Sequence, residues 1–215
     1  MPDTGKIFVT GATGPIGRQL MPCLVRSGYQ VTCVVREGFE LEVPLGCYAV
    51  AGDVLDGRSY AGYVSAADTL VQLAEEVNPV SANERQFSET IRMSSLESIQ
   101  VAREKGVKHF IYVGAEHLAG MKRTNAAVQS ACQEANRLTG LTTTILRSWY
   151  ILGTGRCWPG VDDGFARLED HEHAGLVTVR QAVLSLEYAI ANPARGVETL
   201  EISRFGAIMA RAASA

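Results

Sequence analysis

The stretch Thr10 to Gly17 reads TGATGPIG and sets three glycines in the order G-x-x-G-x-x-G, at Gly11, Gly14 and Gly17. The chemistry this spacing offers is the holding of phosphate. Gly11 can take the positive φ that a tight turn requires. Gly14 has no Cβ to keep backbone away from a pyrophosphate, and Gly17 lets a following helix pack close to a sheet. Pro15 suits the first helical turn, where its missing N–H costs nothing, and Ile16 opens the apolar face behind it. The first amides of such a helix have no intrahelical partner and, with the partial positive charge of the helix end, attract an anion. The Thr13 hydroxyl adds a donor. Gly11, Thr13, Gly14, Pro15, Ile16 and Gly17 are therefore the candidate phosphate contacts of a dinucleotide.

A second chemical signal lies about 20 residues further on, where a dinucleotide site recognises the ribose next to adenine. The sequence there is CVVREG, with Arg36 at the expected place. A guanidinium suits a 2′-phosphate and stacks on adenine, which points to NADP. Glu37 stands beside it, and a shift of one residue would put an acid on the ribose, the arrangement that suits NAD. A third cluster, LEDHEH from Leu168 to His173, suggests a metal at first sight. His171 and His173 diverge on either a strand or a helix, so the stretch reads as a polar loop and no metal site is expected.

The elements that must position these groups follow from hydrophobic periodicity. Lys6–Thr10 reads as a buried strand. Ile16–Arg26 reads as a helix with Ile16, Leu20 and Leu24 on one face, ending before Gly28. Pro22 inside it removes a hydrogen bond, and a kink is expected there. Further strands are expected at Gln30–Val35, Tyr48–Ala51, Thr69–Leu73, His109–Val113 and Thr143–Leu146, with helices over 57–64, 83–105 and 124–138. Phe87, Ile91, Leu96, Ile99 and Ala102 form the apolar stripe of the longest helix, which Gly106 stops. A weaker pattern gives a strand at 177–179, a helix over 180–190 and a last strand at 199–202. Strands alternating with helices specify an α/β fold, a doubly wound parallel sheet covered on both faces. No linker divides the chain, so residues 1–215 read as one Rossmann-type domain. Residues 153–215 contribute a small substrate lobe, centred on the irregular stretch from Gly153 to Ala174.

Composition narrows the function classes. At 47% hydrophobic and 20% charged residues the chain has ordinary globular material. A net charge of −3 supplies no field for nucleic acid or an anionic membrane. Five scattered cysteines without a C-x-x-C pair read as buried or free thiols of a reducing compartment. The opening residues lack the basic-then-apolar form of a secretory leader, and no window approaches the ~18 apolar residues of a membrane span. A cytoplasmic protein is expected.

TGATGPIG, VVRE, AGDVLD, LVQLAEE, GVKHFIYVGA and TTTILRSWYILGTG occur in that order. The order resembles that of extended and atypical short-chain dehydrogenase/reductases, in particular the NmrA-like and NAD-dependent epimerase/dehydratase branch. The resemblance spans about Lys6 to Gly155 and, less specifically, the strand–helix segment after it. It implies that Asp53 accepts from the adenine amino group with the Val54 backbone beside it. Leu73 and Ala74 would line the adenosine ribose side. Gly114 and Ala115 would lie near the nicotinamide, and Arg147 to Tyr150 would border nicotinamide and substrate. It also implies a homodimer through the helices flanking the sheet.

The chain departs from the resemblance where chemistry is usually done. The family's redox reactions use a Tyr and a Lys four residues apart on the helix after strand five, the lysine lowering the tyrosine pKa, and a Ser at the end of that strand. Here Gly114 and Ala115 stand where serines are typical. The helical pair is Asn125 with Gln129, or Ala126 with Ser130, depending on register. Amides hydrogen-bond but do not shuttle protons near neutral pH. The replacement acid–base candidates are Lys122, His117 and Tyr150, with Glu116 beside them. His117 has the pKa range for proton transfer, and Lys122 could polarise a carbonyl. Two functions follow. One is an NAD(P)-dependent oxidoreductase or epimerase-like enzyme for a small molecule. The other is a non-catalytic, dinucleotide-binding redox sensor or structural protein.

Overall fold

The computed structural model describes residues 5–64, 67–73, 84–115, 121–148, 150–152 and 176–202. Seven strands form one sheet: β1 Lys6–Thr10, β2 Gln30–Val35, β3 Cys47–Ala51, β4 Thr69–Gln72, β5 His109–Ala115, β6 Thr142–Ser148 and β9 Val197–Glu201. Their spatial order is β3-β2-β1-β4-β5-β6-β9, with every neighbouring pair parallel. The order turns back on itself between β1 and β4. That junction is the switch point at whose carboxyl edge ligands of open parallel sheets bind. β7 Tyr150–Leu152 and β8 Leu176–Thr178 pair as a separate two-stranded sheet.

The strands alternate their side chains between two apolar layers. On one side α1 (Pro15–Arg26) and α5 (Val179–Ala191) bury Leu20, Leu24, Val183 and Leu186 against Val9, Val71 and Ile111. On the other, α3 (Glu84–Glu104) and α4 (Met121–Thr139) bury Ile91, Ala102 and Val128 against Phe8, Leu70 and Phe110. Sheet residues buried on both faces read as continuous apolar runs, which is why IFV and FIYV were legible as strands. β5 and β6 extend furthest: Gln72, the last residue of β4, pairs with Tyr112, and β5 continues to Ala115 beside Ser148.

Two expectations are corrected, the helix over 57–64 and the apolar stripe of α3. The helix expected over 57–64 is two pieces, a 3-10 turn at Gly57–Ser59 and α2 at Ala61–Val64. Tyr60 between them has φ −127° and ψ −8°, and the Ser59 hydroxyl beside it accepts from the Asp53 amide and donates to the Asp56 carbonyl at 2.7 Å. α1 spans Pro15–Arg26 with Pro22 inside it. On α3, Leu96 is only half-buried, while Ser94, Ser95 and Ser98 are fully enclosed. The inner face there serves a polar network described below. β7 and β8 are three residues each, too short to show a period. Of the segment 153–215, read above as contributing a substrate lobe, residues 176–202 place α5 on α1 and β9 on β6. α5 starts where it does because Thr178 and Gln181 form a reciprocal capping box. The Leu168–His173 stretch lies outside the described residues.

Candidate functional site

The glycine loop joins β1 to α1 at the switch point. Gly11 has φ +72°, and the Gly14 amide donates to its carbonyl at 3.1 Å, closing the turn. A Cβ at Gly17 would lie 2.5 Å from the carbonyl oxygens of both Gly11 and Ala12. Gly17 is thus required for the helix to sit on the loop. Among the described residues, a Cβ at Gly14 would meet the Gly11 carbonyl oxygen, at 3.2 Å, and nothing else within 4 Å. Gly14 is the N-cap with extended backbone, no side chain among the described residues caps the helix, and Pro15 follows. Thr13, Pro15 and Ile16 are half-buried around this start. An uncapped helix start aimed at the switch point, with a glycine where a ligand would touch backbone, fits a pyrophosphate.

At the end of β2, Arg36 is exposed and its Cζ lies 5.1 Å from the centre of the Phe39 ring. Arg18, the residue after Gly17, donates from Nε to the Thr13 carbonyl at 2.7 Å and from Nη2 to Glu42 on the 3-10 turn Glu40–Glu42. The sequence reading passed over Arg18 and Glu42; the signal available was a cation immediately behind the glycine motif. Asp53 is exposed beyond β3, its Oδ1 accepting from the Leu55 amide at 2.9 Å, with Val54 half-buried next to it. Leu73 is buried past the end of β4. Ala74 lies outside the described residues.

Beneath the crevice, a polar network joins the two switch-point strands. The Thr10 and Ser98 hydroxyls donate to Gln72 Oε1 at 2.6 and 2.7 Å, and Gln72 Nε2 donates to Ser94 Oγ at 3.3 Å. Tyr60 and Ser98 share a further hydrogen bond at 3.2 Å. These groups are buried, and satisfied polar groups in such surroundings fix one arrangement of strand and helix.

The start of α4 packs against the end of β5. A Cβ at Gly114 would lie 2.9 Å from Tyr112 Cε1 and 3.0 Å from Asn125 Oδ1. The Tyr112 ring and Asn125 fill the space a serine side chain would need. The Tyr112 hydroxyl donates to Asn125 Oδ1 at 3.2 Å, and burial pushes its pKa upward, keeping the phenol neutral. One turn on, Gln129 Oε1 accepts from Arg147 Nη2 of β6 at 3.2 Å. Asn125 and Gln129 therefore face the crevice end of the sheet, and both are amides. Lys122 is exposed on the same side of α4, one turn earlier. Glu116 and His117 lie outside the described residues, as do the side chains of Ala115 and Tyr150; the Tyr150 backbone pairs in β7 with Leu176. Among the described residues, no group of three or more His, Cys, Asp or Glu is arranged to hold a metal, and no helix is long and apolar enough to cross a membrane.

Residues 7–137 match the model of the NAD dependent epimerase/dehydratase family. The chain belongs to that family. Over 116 residues it is 26% identical to a 3-beta-hydroxysteroid dehydrogenase of Mycolicibacterium neoaurum, a match that covers 51% of this chain and 32% of the relative. The chain thus spans about a third of the length of the curated relative it matches. Among solved structures it resembles DesIV, a dTDP-glucose 4,6-dehydratase of Streptomyces venezuelae solved with NAD bound. That likeness has a TM-score of 0.71 and 18% identity, and covers 92% of this chain and 75% of DesIV. It also resembles a UDP-N-acetylglucosamine 4-epimerase of Bacillus cereus, with a TM-score of 0.68, 14% identity and coverage of 92% and 75%. These likenesses carry the fold, a Rossmann-type parallel sheet.

Proposed function

We propose that this chain binds a nicotinamide dinucleotide along the carboxyl edge of β1, β2 and β4, NADP in preference to NAD, and exchanges hydride with a small molecule as an oxidoreductase or epimerase-like enzyme. The observation that carries the reading is the uncapped start of α1 at the switch point, with Gly17 packed against the Gly11 and Ala12 carbonyls. Gly11, Thr13, Gly14, Pro15, Ile16 and Gly17 would hold the pyrophosphate. Arg36 would meet the 2′-phosphate, Asp53 and Val54 the adenine, Leu73 and Ala74 the adenosine ribose, and Gly114 and Ala115 the nicotinamide. The bound nicotinamide supplies the hydride chemistry. The chain's own part is orientation and proton transfer, for which Lys122, His117 and Tyr150 are the assigned groups.

A second reading, a non-catalytic redox sensor, draws support from one observation. Asn125 and Gln129, one of the two pairs that stand for the family's Tyr–Lys pair in the sequence, are amides engaged by Tyr112 and Arg147. Titration of the purified protein with NADPH and NADH decides the binding claim: tighter NADPH binding, erased by Arg36→Ala, is expected, and equal affinities overturn the Arg36 role. Single-turnover oxidation of bound NADPH over a panel of carbonyl compounds separates the two readings. A signal weakened by Lys122→Ala or His117→Ala supports the enzyme; retention of dinucleotide with no oxidation by any carbonyl supports the sensor.

A further inference from the structure

The connection between β2 and β3 carries a carboxylate that reaches back to the glycine-loop helix. The Arg18 guanidinium is fixed on one edge by the Thr13 carbonyl at 2.7 Å and covered on another by Glu42 Oε2 at 2.5 Å. Both partners are about half-exposed, at 51% and 44%, so the ion pair is weak and displaceable. Two successive backbone bonds, from the Phe39 amide to the Arg36 carbonyl and from the Glu42 amide to the Phe39 carbonyl, tie Arg36, Phe39 and Glu42 into one wound segment. Arg36 and the Arg18–Glu42 pair therefore border the same end of the crevice, between the glycine loop and the end of β2.

We propose that Glu42 is a built-in competitor for the phosphate at this end of the site. It rests on Arg18 in the absence of ligand. A phosphate monoester on the ribose displaces it, and Arg18 then joins Arg36 on that group. This proposal rests on the dinucleotide reading above and adds a specificity-determining residue to it. The chemistry favours exchange. A carboxylate carries one charge, whereas a phosphate monoester carries close to two and three acceptor oxygens. A guanidinium whose Nε is already committed to Thr13 still presents terminal N–H groups to an oxyanion. A ligand without the 2′-phosphate gains nothing by displacing Glu42. The carboxylate thus sets how strongly the site distinguishes the two kinds of dinucleotide.

The test is calorimetric titration of the full chain with NADP+, NAD+, 2′-AMP and 5′-AMP. In Glu42→Gln, affinity for NADP+ and 2′-AMP is expected to rise about 5-fold, with NAD+ and 5′-AMP unchanged, an increment in the range of an exposed ion pair. The gain must vanish when Arg18→Gln is added. Glu40→Gln, which changes the net charge equally on the same turn without touching Arg18, must not reproduce it. Circular dichroism of each variant confirms the fold, and Glu42→Ala serves as a second replacement. Equal gains for NADP+ and NAD+, no gain, or a gain that survives Arg18→Gln overturns the Glu42 proposal while leaving dinucleotide binding standing. Binding of neither dinucleotide by the wild-type chain overturns both.

Discussion

The imidazole of His109 is 2% exposed, with Nε2 2.9 Å from the Thr144 hydroxyl. Burial lowers its pKa from 6.5 to about 4, so the ring is neutral in the folded chain wherever its unfolded counterpart begins to take up a proton. The unfolded state then binds more protons between these values, and stability falls as pH drops from 6.5 towards 4, by up to about 3 kcal/mol for this group. Urea unfolding at pH 7 and pH 4.5 should show a larger loss for the wild type than for His109→Gln; equal losses would remove His109 as the source. At this scale the sequence was legible where backbone geometry dictates residue type. Gly11, Gly14 and Gly17 each have a steric or conformational reason visible from spacing. Tyr112, Gln72 and Glu42 were not legible. Their roles come from partners 13, 22 to 62 and 24 residues away, and nothing local in the sequence announces such a partner.

Among the elements, the end of β5 and the start of α4 are coupled through Gly114. Gly114→Ser would push its side chain into Tyr112 and Asn125, costing about 1–3 kcal/mol as overpacking does. Combining it with Tyr112→Leu should return part of that loss, giving a coupling of about 0.5 kcal/mol or more in a denaturation double-mutant cycle. Strict additivity would mean that the two residues do not compete for the space. Elements with a long apolar period were readable within one residue, as β1, β2 and α3 show, and α4 begins three residues before the expected start. The break at Tyr60 was not, because the Ser59 hydroxyl competes with helical backbone bonding in a way that hydropathy does not register. The apolar stripe on α3 was partly misread for a related reason: Ser94 and Ser98 turn inward to satisfy Gln72.

For the molecule as a whole, the late segment completes the layer that α1 begins. α5 buries Val183, Leu186 and Ile190 in the same layer as α1, and β9 covers the outer edge of β6. A chain ending at residue 175 should expose that layer, lose its cooperative thermal transition in circular dichroism and bind the dye ANS, as chains without fixed packing do. An intact sharp transition would show that residues 1–175 fold alone. The carboxyl edge of the sheet is not level. β5 runs three residues past the point where it faces the last residue of β4, a rise of about 10 Å at strand spacing. A staircase of this kind measures length: a ligand resting on the tread by the glycine loop meets the tips of β1 and β4, and only one long enough to reach the riser meets the side of β5 at Gly114. A mononucleotide and a dinucleotide could thus share the lower tread, while the upper step is reached by the longer molecule alone.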